Sequence, residues 1–420
     1  MKFKLAHISD LHLGYASGKK KLNEDGMNVR ENDGYIAFEK LVDGMIEQKV
    51  DAVLVAGDMF HSPRPKNHTI VIAQEQLRRL AKEGIVVYII AGNHDATDVR
   101  AEIPSSRLLH EPANNIFSYS DPYVVKEIAE GIFMHFLGHH AYVDQQDTFK
   151  KIELKNDCIN ILASHGSCFD SNIGVMLKSP NEPREVVIPQ EVMDLEWDYT
   201  LLGHIHERGW IGSSDRKTDT QGRKQFYNGS LLRRGFSDKV SPNGRGWTLW
   251  TIDTESKSIE PTMYTVEERI QLDMKPIEVK DKSTLEIEKE IIEQLKAIDE
   301  SIIKKYGEIN LSNTPIVRQT ITGVSTVARL SLNLQRFNEF TSKYLTHIFR
   351  IVPDNEILST DGTIDAETLN NGDIVAVFSE WNKKNEKKFK AEDEDVQKRS
   401  FEAATEYLKQ SRDELLTKED

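Results

Sequence analysis

The sequence predicts an α/β fold, and two of its features carry that expectation. Residues 1–110 alternate apolar, β-branched runs with amphipathic stretches, in the order strand, helix, strand, helix, strand. That order is the βαβ pattern of a parallel sheet. In addition, five strand-like runs along the chain each end in polar side chains of metal-ligand type, usually beside a small residue. In open α/β sheets the carboxyl ends of neighbouring strands gather on one rim, and function collects there.

Taken in order, Phe3–Ile8 is a strand-like run leading into Asp10-Leu11-His12. The polar stretch from Ala16 to Glu31, with Lys19-Lys20-Lys21 inside it, reads as a solvated loop. Asp33 to Lys49 reads as a helix, because Phe38, Leu41, Val42 and Met45 give it one apolar face. Asp51–Ala56 runs into Gly57-Asp58, and Lys66 to Glu83 reads as a second helix through Ile70, Ala73, Leu77 and Leu80. Ile85–Ile90 is β-branched enough for a buried strand. The turn at Gly92 then presents three chemistries at once: the amide of Asn93, the imidazole of His94 and the carboxylate of Asp95.

Shorter strands follow, including Ile132 to Leu137. His139 and His140 are adjacent, would point to opposite faces of a strand, and read as structural. Ile159–Ala163 runs into His165-Gly166, and Tyr199–Leu202 into Gly203-His204-Ile205-His206. The stretch from Cys168 to Pro189, broken by Pro180 and Pro183, reads as a surface loop. Residues 225–252 read as a hairpin region, with Gln225-Phe226-Tyr227, a turn at Asn228-Gly229-Ser230, and Gly246–Thr251.

Composition shifts near residue 265. Leu285 to Lys304 is charged and amphipathic, Pro315–Ile321 strand-like, Val327 to Tyr344 helical and Thr346 to Val352 strand-like. This is a small α/β unit without ligand clustering. From about Asn382 the chain is mostly charged, although Phe401, Ala404, Leu408 and Leu415 line one side of a helix. The expected division is therefore 1–264, 265–380 and a helical tail over 381–420. A length of 420 residues agrees with several domains, since single cores stop growing near ~250–300 residues.

No apolar run approaches the ~18–20 residues of a membrane span, and the N-terminus enters a strand without a signal-peptide pattern. Cys158 and Cys168 match no zinc spacing. A cytoplasmic, non-secreted protein is expected. The formal net charge of −14 argues against coating nucleic acid through a broadly basic surface, but leaves room for a local patch. No Gly-x-x-x-x-Gly-Lys-Ser/Thr stretch occurs, so any ATP hydrolysis must come from a partner.

The strand ends together offer carboxylate, amide and imidazole groups with no thiolate, a set that fits two divalent metals. The ordered series Asp10-x-His12, Gly57-Asp58, Gly92-Asn93-His94-Asp95, His165-Gly166 and Gly203-His204-x-His206 resembles the signature of calcineurin-like metallophosphoesterases. Asp10-Leu11-His12-Leu13-Gly14-Tyr15, Asp58-Met59-Phe60-His61 and Asn228-Gly229-Ser230 narrow the resemblance. They are similar to the SbcD-type nuclease subunit of the double-strand-break processing complex, the meiotic-recombination-eleven family.

That resemblance implies an α-β-β-α sandwich of four layers, a smaller capping domain that shapes a DNA cleft, and a tail that docks on a partner. It implies that Asp10, His12 and His206 hold one metal, that Asn93, His165 and His204 hold the other, and that Asp58 bridges them. Manganese is the metal it favours. His94 would face the leaving oxygen as acid or hydrogen-bond donor, and Asp95 would orient His94 through its other ring nitrogen. From position alone, His61, three residues after Asp58, reads either as lining a DNA cleft or as a surface histidine, and Arg233 and Arg234, after the Asn228-Gly229-Ser230 turn, are candidates for DNA phosphate contact. The implied activity is 3′–5′ exonuclease and single-strand or hairpin endonuclease action on DNA, by a homodimer working with an SbcC-type coiled-coil ATPase. The alternative, which the acidic charge favours, is a phosphoesterase of small phosphodiesters or phosphoproteins.

Overall fold

The computed structural model describes residues 2–353 apart from 17–21, 98, 100–101, 144–147, 171–174, 178–185, 212–223, 237, 239, 280–281, 311–312 and 325–345. The lysine run at 19–21, the expected helix over 327–344 and the tail over 381–420 lie outside the described residues.

The strands in chain order are β1 (Lys2–Ile8), β2 (Ala52–Ala56), β3 (Val86–Ile90), β4 (Ile116–Tyr119), β5 (Val124–Ala129), β6 (Ile132–Leu137), β7 (Ile159–His165), β8 (Cys168–Asp170), β9 (Val175–Leu177), β10 (Tyr199–Gly203), β11 (Gly209–Trp210), β12 (Gln225–Tyr227), β13 (Gly246–Asp253) and β14 (Ser258–Thr265). Twelve of them build two mixed six-stranded sheets, and β8 and β9 pair antiparallel with each other. The first runs β14-β13-β1-β2-β3-β4. Its β1 to β4 are parallel, and β13 and β14 are added antiparallel. The second runs β11-β12-β10-β7-β6-β5, with four parallel strands between antiparallel edges.

Helices α1 (Val29–Glu47) and α2 (Asn67–Lys82) are the expected crossovers. The spacing predicts α1 from Asp33, yet it starts at Val29. The Asn28 side chain accepts from the backbone N–H groups of Arg30 and Glu31, capping a first turn that carries little apolar signal. Period-two alternation then sorts the sheet faces. Ala6, Ile8, Val53, Val55, Val87 and Ile89 meet Phe38, Leu41 and Met45 of α1 and Leu77 and Leu80 of α2. Leu5, Leu54 and Ile90, on the opposite face, meet Met134, Phe136, Ile161, Ala163 and Leu201 of the second sheet. The outer face of that sheet, with Leu162 and Leu202, is covered by short helical turns at His140–Val143 and Gln190–Met193.

The expectation of a hairpin over 225–252 is corrected. β12 pairs with β10 and β11 in the second sheet, whereas β13 pairs with β1 and β14 in the first. The true hairpin is β13–β14, and Asn228-Gly229-Ser230 crosses between sheets. Its polar residues satisfy that crossing: Asn228 Nδ2 donates to the Gly246 carbonyl at 3.0 Å, and its Oδ1 accepts from Thr248 Oγ1 at 2.9 Å. A turn-former pattern cannot distinguish reversal from crossing, because both need the same local backbone.

His7 lies on the inner face of β1, fully buried, with neither ring nitrogen hydrogen-bonded. Burial, reinforced by the Arg208 guanidinium, pulls its pKa down to about 3 from 6.5. The folded protein therefore holds it neutral, while the unfolded chain takes up a proton below its ordinary pKa. This contribution is neutral above pH about 6.5 and destabilises the fold as pH falls toward about 3. It amounts to about 2 kcal/mol by pH ~5. Urea unfolding of His7→Leu and of the native chain at pH ~7.5 and ~5 is the measurement. The variant is expected to lose about 2 kcal/mol less on acidification, and equal losses would remove His7 from the acid response.

Described residues within Met1–Leu272, Asp299–Arg318 and Ser342–His347 form one compact unit, and those within Asp273–Ile298, Gln319–Thr341 and Ile348–Asp420 a second. In the second, the short strand Ile277–Glu278 pairs in parallel with Ile321 and Thr322. Gln319 Nε2 donates to the Lys275 carbonyl at 2.8 Å. Among the described residues no helix is long and apolar enough to cross a membrane.

Candidate dimetal centre

All five ligand-bearing strand ends meet in the first unit, but the rim is shared by both sheets. β1, β2 and β3 deliver Asp10, His12, Asp58, Asn93 and His94. β7 and β10 deliver His165, His204 and His206 from the facing sheet. The backbone is strained where they emerge. Asp10, His12, Asp58 and His204 have φ of 51°, 45°, 52° and 98°, in the left-handed region that non-glycine residues avoid. Hydrogen bonds hold these turns. Asp10 N–H donates to Gly57 O at 3.1 Å and His12 N–H to Asp58 O at 3.0 Å, and His204 N–H reaches the Asp10 carboxylate at 3.0 Å. A side chain at Gly92 would strike the Asp58 carboxylate, and one at Gly203 would strike the Ala56 carbonyl. The glycines at these two strand ends are thus required by close approach, within the first sheet at Gly92 and between the two sheets at Gly203.

The donor atoms converge in two sets. His12 Nε2 and His206 Nε2 face each other at 3.2 Å, with Asp58 Oδ2 3.7 Å from the first and Asp10 Oδ1 3.8 Å from the second. Asn93 Oδ1 lies 3.1 Å from both His165 Nε2 and His204 Nδ1, and Asp58 Oδ2 lies 3.3 Å from His165 Nε2. Ligand atoms each about 2.1 Å from an ion stand roughly 3.0–3.4 Å apart, so most of these separations are those of a coordination shell. Asp10, His12 and His206 form one buried group able to hold an ion, and Asp10, Asp58 and His165 another.

Electrostatics agree with that chemistry. Burial lowers the His12 pKa well below its usual value, helped by Arg234 and by the neighbouring histidines, leaving the neutral imidazole that metals require. Burial also opposes charge on Asp58 and His165, yet their mutual attraction wins: the carboxyl is held far below its ordinary range and the imidazole is raised to about 10. A divalent cation can take the place of that shared proton. The residues present fit two metal ions.

His94 stands at the edge of the cluster. Its Nδ1 is 2.9 Å from the His61 carbonyl, and its ring stacks on His61 with centroids 5.2 Å apart. The expectation that Asp95 orients His94 is corrected here. The Asp95 carboxylate accepts the backbone N–H groups of Met59, Phe60 and Gly92 at 2.8–3.1 Å, tying the β2 loop to the β3 loop. A carbonyl of that tied loop, from His61, is what faces the His94 ring. Burial and the Asp58 charge push Asp95 up to about 7 against those three bonds.

His61 sits in the cluster, 5.5 Å from the His12 ring. Arg233 and Arg234 line a small hollow with His12 and Tyr15, and Tyr15 Oη donates to the Arg234 carbonyl at 2.6 Å. His139 is buried with its N–H on the Ala91 carbonyl, and His140 opens a helical turn rather than continuing a strand. Sequence reasoning missed Asp238, whose Oδ1 is 3.2 Å from His206 Nδ1, and Arg245, whose Nη1 donates to the His206 carbonyl at 2.7 Å. Neither lies in a local pattern that would have revealed it.

The calcineurin-like phosphoesterase family model matches residues 3–208. Three curated proteins called DNA double-strand break repair protein Mre11 are similar to the chain. The one from Methanococcus maripaludis is 28% identical over 207 residues, covering 48% of this chain and 51% of that one. The one from Sulfolobus acidocaldarius is 24% identical over 392 residues, covering 89% of each. The one from Methanocaldococcus jannaschii is 30% identical over 203 residues, covering 48% of this chain and 51% of that one. The chain thus spans about half the length of the Methanococcus and Methanocaldococcus relatives it matches. Over the residues that carry the ligand cluster the chain is thus similar to calcineurin-like phosphoesterases and, among curated proteins, to Mre11.

Proposed function

We propose that this chain is a two-metal DNA nuclease, acting as a 3′–5′ exonuclease and a single-strand or hairpin endonuclease in break repair. The observation that supports this best is the convergence of seven amide, carboxylate and imidazole side chains from five strand ends at coordination spacing. Asp10, His12 and His206 hold one metal, Asn93, His165 and His204 the other, and Asp58 both. The oxygen and nitrogen donor set, free of thiolate, suits manganese. Bound metals supply Lewis-acid stabilisation of an in-line displacement at phosphorus. His94, its ring set by the His61 carbonyl at Nδ1, faces the leaving oxygen as acid or hydrogen-bond donor. Asp95 keeps the two loops that carry Asp58 and His94 in register. Arg233, Arg234 and His61 line the approach and contact the nucleic-acid backbone.

Residues 1–264 form the nuclease domain, 265–380 a cap over the DNA, and 381–420 a docking helix for an SbcC-type ATPase, which a pull-down with the 390–420 deletion tests. A homodimer is supported by exposed apolar side chains at Val71 on α2 and Leu108. These lie close together, since Gln74, one turn from Val71, donates to the Leu108 carbonyl. Light scattering measures it directly.

The deciding assay is cleavage of labelled duplex and single-stranded DNA with manganese, beside bis-p-nitrophenyl phosphate. DNA cleavage that depends on manganese is the expected result. Turnover of the small diester alone would overturn the nuclease reading in favour of a phosphoesterase that does not act on DNA, the class the charge of −14 favours.

A further inference from the structure

Asp238 follows the crossing segment by several residues and is 4% exposed. Every polar atom of its side chain is spent on a donor. Oδ1 faces His206 Nδ1 at 3.2 Å, and Oδ2 accepts the Arg234 N–H at 2.9 Å. Its own carbonyl accepts Arg233 Nε at 2.9 Å. An ionised carboxylate carries no proton, so His206 must donate from Nδ1. In the neutral ring Nε2 then carries the lone pair, facing His12 Nε2 and Asp10 Oδ1.

We propose that Asp238 is a positioning residue that fixes the tautomer of His206 and, through its second oxygen, the backbone carrying Arg233 and Arg234. The proposal rests on reading His206 as a metal ligand. One carboxylate thereby sets a metal-binding ring and a pair of phosphate-facing arginines in common register. Both of its side-chain partners are donors, so two acceptor oxygens are needed. An amide of the same shape offers one acceptor and one donor. In Asp238→Asn the amide either donates to His206 Nδ1, which moves the ring proton to Nε2, or opposes the Arg234 N–H.

The test compares the full-length chain with Asp238→Asn, Asp238→Glu and His206→Ala by calorimetric titration with manganese. Cleavage of bis-p-nitrophenyl phosphate is followed in parallel. Asp238→Asn is expected to weaken one of the two manganese sites about 10–100-fold and leave the other unchanged. Asp238→Glu, larger but with two acceptor oxygens, is expected to recover most of that loss. A residue that merely fills space would give the reverse order, with the isosteric Asn harmless and Glu damaging, and that order overturns the proposal. Native affinity at both sites in Asp238→Asn also overturns it. Should Asp238→Asn fail to fold, Glu alone decides: near-native affinity at both sites supports the role, and loss at one site sinks it. His206→Ala separates the underlying reading. If it binds two manganese ions as the native chain does, His206 is not a ligand, and the ligand assignment fails before the role of Asp238 is reached.

Discussion

Asp58→Asn is expected to lose manganese affinity at both sites, by more than about 100-fold, and with it all measurable phosphodiester cleavage. Outer partners of metal ligands alone cost about 10–100-fold, and Asp58 stands beside both proposed ligand sets, its Oδ2 3.3 Å from His165 Nε2 and 3.7 Å from His12 Nε2. Its other oxygen accepts the His94 N–H at 2.8 Å, so the substitution also disturbs the loop that presents His94. Asp10 also groups with Asp58 and His165, but the imidazole its carboxylate pairs with is His206, at 3.8 Å, so Asp10→Asn should weaken chiefly the set that contains His12 and His206. Calorimetric titration of both variants distinguishes them. Equal loss of both ions in the two variants would show that Asp58 has no special bridging place.

His94→Ala should lower turnover by about 10²–10⁴-fold, the usual worth of a positioned proton donor, with both ions retained. The motivation is position: the ring is buried beside the cluster, stacked on His61 and held by a carbonyl, while seven other side chains already supply the donors. Metal analysis and kinetics on one sample settle it. Loss of an ion would make His94 a ligand, and native turnover would remove it from the reaction.

The site was legible because its parts are short and locally encoded. Each strand end couples an apolar run to a small residue (Ser9, Gly57, Gly92, Ser164 or Gly203) and then to a ligand-type side chain, and two of the glycines prove to be demanded by contact: Gly92 against Asp58, Gly203 against Ala56. The helices were legible through Phe38, Leu41 and Leu77, although the polar first turn of α1, capped by Asn28, was not. What pattern could not show was pairing at a distance. Gln225–Tyr227 and Gly246–Thr251 each read correctly as strands, but only the core decides that they belong to different sheets. Asp95 looked like a partner for the neighbouring ring, whereas its oxygens are taken by amides 35 and 36 residues upstream. Asp238 lies 32 residues from the ring it faces, in a stretch without periodicity.

Each proposed metal draws ligands from both sheets: Asp10 and His12 of the first with His206 of the second, and Asn93 of the first with His165 and His204 of the second. An ion so placed is a cross-link as well as a reagent. It ties together two layers already joined near this rim by the His204 N–H on the Asp10 carboxylate, by His165 Nδ1 on the Ala56 carbonyl, by apolar contact and by the Asn228 crossing. Affinity for the ion and cohesion of the sandwich are then two faces of one equilibrium, since whatever binds only the folded state stabilises it in proportion to the logarithm of its concentration. Substitutions deep between the sheets, such as at Leu54 or Ile161, would on this basis be felt as altered metal retention far from where they are made.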